Sequence, residues 1–422
     1  MPETESTVNL ECVRQIQLPG GRMTQRQVSV KAAQGRFHLL RGSRKDEAAG
    51  ADYFDYNLLA VVILLTAFGL VMQYSVTAYS MLQVKGHPFM KQILICAGGM
   101  VILIVASRID YHGLAKGSGL LFAGSILLVI ATRFIGKNVN GATRWIDIGF
   151  IQFQPSEVAK LAVILYIPVL ITMMGTKFGK YKRAPARILG LGLLTAFLVY
   201  KFTDNLSTAI IIFGICFVMV IVAHPHPRGL VALFFAALAA VYPVYLVLKS
   251  VFQTASSTSF RYRRILTWLN PEKYQKEGGY QVMQGLYAIG SGGLFGKGLG
   301  NSAQKLGVLP EAENDMIFAI VCEELGLVGA FILTGLFIYL LYRLFFIALN
   351  APDRLGALIV VGIFSHVAIQ VVLNIAVVLS IIPTTGITLP FVSSGGTSLW
   401  FLMAEMGIAL NISGQIIERK KS

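Results

Sequence analysis

The stretch Leu309–Pro310–Glu311–Ala312–Glu313–Asn314–Asp315 passes directly into an apolar run beginning at Met316. A carboxylate at such a junction can take a proton from a hydroxyl, because water keeps it ionisable while partial shielding raises its pKa toward neutrality. The same position suits a helix N-cap, with Asn314 or Asp315 accepting from unpaired backbone N–H groups. The residue types leave both roles open. Glu323 and Glu324 follow eight and nine residues after Asp315, roughly 12–13 Å deeper along a helix. That separation excludes a shared proton. Neighbouring residues diverge by about 100° on a helix, so one of the pair can line a substrate path while the other caps or pairs.

A second group of polar residues spans Gly141–Ala142–Thr143–Arg144–Trp145 and Gln154–Pro155–Ser156–Glu157. Arg144 brings a planar fork of donors suited to phosphate oxygens, with Trp145 as an interfacial anchor. Ser156 can cap the helix that Pro155 opens, with Glu157 in its first turn. Lys160 lies three residues on, on the same face as Glu157, either as its ion pair or to steer an anionic headgroup. A third group, Pro383–Thr384–Thr385–Gly386 through Ser393–Ser394–Gly395–Gly396, is irregular chain of the kind tolerated near a bilayer where it lines protein or a wet cavity. Ser393, Ser394 and the glycine N–H groups suit phosphate or sugar oxygens, or a re-entrant turn. The run from Gly290 to Gly300 lacks nucleotide-loop spacing. The histidines are scattered: His366 reads as isolated, and metal binding by His224 and His226 is disfavoured.

These residues must be positioned by membrane helices. The chain has 422 residues, 55% hydrophobic and 14% charged, with a mean hydropathy of +0.67; soluble domains carry about 25% charge. Ten apolar spans are predicted, at 57–79, 89–107, 113–132, 157–174, 187–201, 206–223, 229–249, 315–341, 354–379 and 396–414. The fold class is all-α and polytopic. Residues 1–52 read as a cytoplasmic tail, 53–416 as the transmembrane domain and 417–422 as a second short tail. The basic loop Lys177–Lys180–Lys182–Arg183–Arg187 and the terminal Arg419–Lys420–Lys421 put both ends in the cytoplasm. The segments 133–156 and 250–314 then face outward, the second as a large ordered loop. The net charge of +15 suits contact with anionic membrane lipids rather than nucleic acid. The four cysteines form no disulfide framework.

At these residues the chain resembles the SEDS family of bacterial cell-wall proteins (the FtsW/RodA/SpoVE group). The resemblance is carried by Gly141 to Trp145, Gln154 to Lys160, Ala288 to Gly293, Leu309 to Glu311, Asp315 to Ala319, Glu323 to Gly326 and Pro383 to Gly396. The departures are Asn374–Ile375–Ala376 for the usual Asn-Ile-Gly, Ser394 for a common tyrosine, and Glu313–Asn314 before Asp315. The resemblance implies a ten-helix peptidoglycan glycosyltransferase that polymerises lipid II and releases undecaprenyl pyrophosphate. The rival readings are a lipid II flippase and a non-catalytic scaffold. It also implies a class B penicillin-binding protein and other divisome or elongasome proteins as partners. Asp315 becomes the catalytic residue, with Arg144, Trp145, Glu157, Lys160, Glu323, Ser393 and Ser394 toward the substrate. A divalent cation, Mg or Mn, is an expected helper; no organic cofactor is expected.

Overall fold

The computed structural model describes residues 52–83, 88–139, 142–148, 151–180, 183–252, 260–275, 278–306 and 308–417. The tail expected over 1–52 lies outside them apart from Asp52. So do Cys12, His87, Gly141, Lys182 and the terminal Arg419 to Lys421.

A short strand β1 (Asp52–Tyr53) leads into helices α1 (Tyr56–Gln83), α2 (Pro88–Arg108) and α3 (Tyr111–Ile135). A small antiparallel sheet follows, β2 (Lys137–Val139), β3 (Ala142–Ile148) and β4 (Ile151–Phe153), with Asn138 opposite Thr143 and Asp147 opposite Gln152. The chain continues through α4 (Pro155–Met174), the single turn α5 (Lys177–Lys180), α6 (Arg183–Thr203), α7 (Leu206–Ala223) and α8 (Arg228–Phe252). The large loop holds two further helices, α9 (Phe260–Leu269) and α10 (Gly279–Gly292). Then come α11 (Ile317–Asn350), α12 (Arg354–Val378), α13 (Thr397–Gly414) and β5 (Ile416–Ile417), which pairs with β1. The first and last described strands thus meet at one end of the bundle.

Each of the ten expected spans coincides with a long helix. In lipid the backbone must satisfy itself, which leaves an apolar run little choice but helix. Among the described residues, eight of these helices are long and apolar enough to cross a membrane. Of the other two, α13 includes Glu405 and Asn411 in its 18 residues, and α8 is apolar over Arg228–Ala240 among the described residues. The span expected to be short at 187–201 is a full 21 residues.

Polar residues set several boundaries. Asp110, Asn205 and Asp353 accept from backbone N–H groups at the starts of α3, α7 and α12, the usual work of an N-cap. Ser156 does not cap α4: the cap position is Gln154, whose side chain donates to Ser156 Oγ instead.

Helices α4, α7 and α12 form the buried middle of the bundle, while α2 and α3 turn much of their surface to the lipid. Small residues let backbones approach, a common device where lipid gives no hydrophobic gain. At Gly69 of α1 a Cβ would come within 2.5 Å of Phe391 O, and at Gly407 of α13 within 2.5 Å of Leu103 O.

Helix α11 is interrupted at Gly326, whose φ of 67° suits glycine. Into that break folds the glycine-rich run after α10: Lys297 N and Gly298 N donate to the carbonyls of Glu323 and Glu324, and Leu327 N and Val328 N to those of Gly293 and Leu294. The Gly290 to Gly300 run therefore serves close backbone packing.

Candidate functional site

A cavity of about 880 Å³ opens where β3, α4, α7, α9, α10, α12, the 384–396 segment and the start of α11 converge. Asp315 lies in its wall just before α11 and is 5% exposed. The helix cap is Met316, which makes no side-chain capping bond. The capping role left open for Asn314 and Asp315 is therefore not taken up.

Three neighbours fix Asp315. Asn374 of α12 donates to its backbone carbonyl at 2.9 Å and to Ile387 O at 2.7 Å. Gln281 of α10 approaches Oδ1 at 3.5 Å. Gly386 stands between the acid and Arg144: a Cβ there would lie 3.7 Å from Arg144 Nη1 and 3.9 Å from Asp315 Oδ2. Burial pushes the carboxyl up to about 7, with Glu311 adding to the rise while Arg264 and Arg144 oppose it. Burial of a charge against nearby cations sets the balance. The group is then half-ionised near neutrality, where a general base works best.

Arg144 projects from β3 and donates from Nη2 to Asp204 O at 3.0 Å. Its Nε is buried with no hydrogen-bond partner among the described residues. Burial and the second cation, Arg264, pull its pKa down to about 10, so the group remains charged at neutral pH. Arg264 of α9 reaches the same cavity and donates to Thr384 O at 3.2 Å. A buried guanidinium with an unused donor, beside a second one, is a ready host for an anion.

Trp145, Glu157, Lys160 and Ser394 also line the cavity. Lys160 Nζ lies 2.9 Å from Glu157 Oε2. Two expected residues do not reach it. Ser393 is used within the protein, donating to Asn314 O at 2.6 Å and accepting from Leu389 N at 2.7 Å. Its part is to tie the irregular segment to the loop that carries Asp315.

Glu323 is wholly buried away from the cavity. It accepts from Lys297 Nζ at 2.6 Å, from Ser302 Oγ and from Ala303 N at 3.2 Å. Glu324 likewise accepts from Lys305 Nζ at 2.8 Å and Ser75 Oγ at 2.7 Å. Both acids fasten the 293–306 loop to α11, so the substrate-path role expected of Glu323 is corrected to a structural one.

A sequence model of the FtsW/RodA/SpoVE family, described as cell cycle protein, matches residues 55–417. The chain belongs to this family. Stage V sporulation protein E of Bacillus subtilis (strain 168) is 37% identical over 364 residues, 85% of this chain and 96% of that protein. The probable peptidoglycan glycosyltransferase FtsW of Geobacter metallireducens is 35% identical over 369 residues, covering 85% and 94%. Among solved structures, a chain from a study of how a peptidoglycan synthase complex coordinates polymerization and crosslinking superposes with a TM-score of 0.68 at 27% identity, covering 85% and 97%. The rod shape determining protein RodA of Thermus thermophilus gives 0.60 at 25%, covering 87% and 98%.

This FtsW/RodA/SpoVE protein is a multi-pass membrane protein with the SEDS fold. Its cavity contains residues that motif reading did not single out. Arg264 shares a segment with Arg261 and Arg263, and only the one-turn spacing of Arg264 and Trp268 on an amphipathic helix hints at it. Trp268 Nε1 donates to Ser380 O at 2.9 Å, holding α9 against the irregular segment. Among the described residues no three His, Cys, Asp or Glu side chains converge as a metal cage would need. The residues present do not fit a protein-built site for the expected divalent cation, and no step below is routed through one.

Proposed function

We propose that this protein is a peptidoglycan glycosyltransferase that joins lipid II units into β-1,4-linked strands. The observation that carries the reading is Asp315, buried yet poised near neutrality, in one cavity with Arg144 and Arg264. The 4-hydroxyl of one disaccharide's N-acetylglucosamine attacks C1 of the N-acetylmuramic acid of another. Asp315 takes the hydroxyl proton as the new C–O bond forms. The C1–O bond to the diphosphate breaks, inverting the α-linked donor, and undecaprenyl pyrophosphate leaves with the electron pair.

The leaving group is an anion and needs charge stabilisation more than a proton. Arg144, Arg264 and Lys160 supply cationic donors on the cavity wall. Trp145 and Ser394 border the same space for the sugar and headgroup. The basic Lys177 to Arg187 connection supports a cytoplasmic location for the opposite end of the bundle, with both termini there and the cavity opening outward. Likeness to a chain of a peptidoglycan synthase complex supports a class B penicillin-binding protein as partner.

The test is conversion of labelled lipid II by purified protein with that partner. The expected product is polymer cleaved by lysozyme, with equimolar release of undecaprenyl pyrophosphate. Folded protein that makes no polymer, or that only carries lipid II across a vesicle, contradicts the proposal. A finer prediction concerns Arg144. Arg144→Lys keeps the charge but loses the fork, and kcat/KM is expected to fall about 10- to 100-fold, the scale of a hydrogen bond to a charged group. Unchanged kinetics in that variant would remove Arg144 from the diphosphate.

A further inference from the structure

A polar chain runs from the cavity into the interior of the bundle. Lys160 Nζ donates to Gln370 Oε1 at 3.2 Å. Gln370 Nε2 donates to Thr388 O at 3.0 Å, which fixes the sense of the carboxamide. Its oxygen therefore faces Lys160 on one side and His366 Nε2, 2.9 Å away, on the other. His366 Nδ1 lies 2.8 and 3.0 Å from the two oxygens of Glu405. His366 and Glu405 are wholly buried and do not line the cavity. The transfer steps have no use for them.

Hydrogen-bond chemistry restricts the imidazole. A carboxamide oxygen only accepts, so His366 Nε2 must carry its hydrogen, wherever the proton between Nδ1 and Glu405 resides. The chain cannot relay a proton to Lys160, because the Gln370 oxygen that links the two has none to pass on. What it can transmit is orientation. Glu157 Oε2 lies 2.9 Å from Lys160 Nζ and forms a buried ion pair with it. Gln370 is the second group that holds the ammonium, accepting one of its hydrogens, and His366 holds Gln370 from behind. A satisfied buried network of this kind rigidifies what it touches.

We infer that His366, held by Glu405, is a positioning residue that acts through Gln370 to aim Lys160 at the departing diphosphate. The inference rests on the glycosyltransferase reading of the cavity. It requires one N–H at the place of His366 Nε2 and no charge at Glu405.

Three variants separate this role from mere packing. The pair His366→Leu with Glu405→Leu removes the donor and the buried acid together, an exchange that buried ion pairs often tolerate. His366→Gln restores an N–H toward Gln370. Glu405→Gln keeps the imidazole and its Nε2 hydrogen while removing the acid. Two quantities are measured on the full-length protein with its partner: affinity for inorganic pyrophosphate by calorimetry, and KM and kcat for labelled lipid II.

The Leu pair is expected to weaken pyrophosphate binding about tenfold and to lower kcat/KM by a similar factor, the scale of one hydrogen bond to a charged group. His366→Gln and Glu405→Gln should recover to within about threefold of wild type. In a Lys160→Met background the Leu pair should add nothing, because the effect passes through Lys160. Wild-type pyrophosphate affinity in the Leu pair, additivity with Lys160→Met, loss in Glu405→Gln, or no pyrophosphate binding by wild type would each overturn the inference. Pyrophosphate binding with this pattern in a protein that makes no glycan would leave the positioning role standing and sink the glycosyltransferase reading instead.

Discussion

Asp315→Asn is expected to lower lipid II polymerisation by about 10² to 10⁴, the usual contribution of a positioned general base. Asparagine matches aspartate in shape. Its backbone carbonyl still accepts from Asn374, and its side-chain oxygen can still meet Gln281. Only the basic lone pair is lost. Stability should move the other way. Burial raises the folded carboxyl from 3.8 to about 7, so the folded state holds a proton that the unfolded chain has released across that window. Stability contributed by this group is full below the lower value and declines as pH rises toward 7. Above pH 7 the variant should therefore melt no lower than wild type in detergent, although it is inactive. A melting temperature that fell with activity would point to misfolding rather than lost chemistry. Function is here maintained against a stability cost, a familiar exchange at active sites.

The second large effect falls outside the cavity. Lys305 Nζ contacts Glu324 Oε1 and Ser75 Oγ, each at 2.8 Å, and Glu324 is wholly buried. Lys305→Leu leaves that carboxylate without its cation and is expected to cost about 3–5 kcal/mol, the scale for breaking a buried pair from one side. Glu324→Leu in the same chain should recover most of the loss, because an apolar pair needs no compensation. Denaturant or thermal melts of the two variants check this. Equal melting of Lys305→Leu and wild type would show that the 293–306 loop is not fastened by this pair. Activity should fall with the single variant, since that loop and α10 carry Gln281 to Asp315.

The spans were legible because their cause is local: an apolar run in lipid has to be helix, and each of the ten runs read from the sequence falls on a long helix. The Arg144 and Asp315 neighbourhoods were legible because helix junctions and short motifs announced them. What escaped the sequence is what depends on folding back. Glu323 and Glu324 follow one another on α11, and their partners Lys297, Ser302 and Lys305 come from a loop that re-enters the break at Gly326. Ser393 and Ser394 are neighbours, yet one ties loops together while the other borders the cavity. No propensity distinguishes them. His366 read as isolated because Glu405 is 39 residues away, on a helix that only the bundle brings alongside. Arg264 was one arginine of three until α9 turned it inward. Ser156 lost its capping role because α4 begins at Pro155, which places Ser156 inside the first turn.

In the proposed reaction one sheltered carboxylate takes the acceptor's proton while neighbouring cations receive the diphosphate. Single-turnover polymerisation of labelled lipid II across pH 5.5–8.5 (about one and a half units either side of neutrality), in wild type and Asp315→Asn, tests it most directly. The wild-type rate is expected to rise with pH and level near an apparent pKa of about 7, and the residual variant rate to lack that limb. Equal polymer from both proteins, or the same pH limb surviving in the variant, would contradict it.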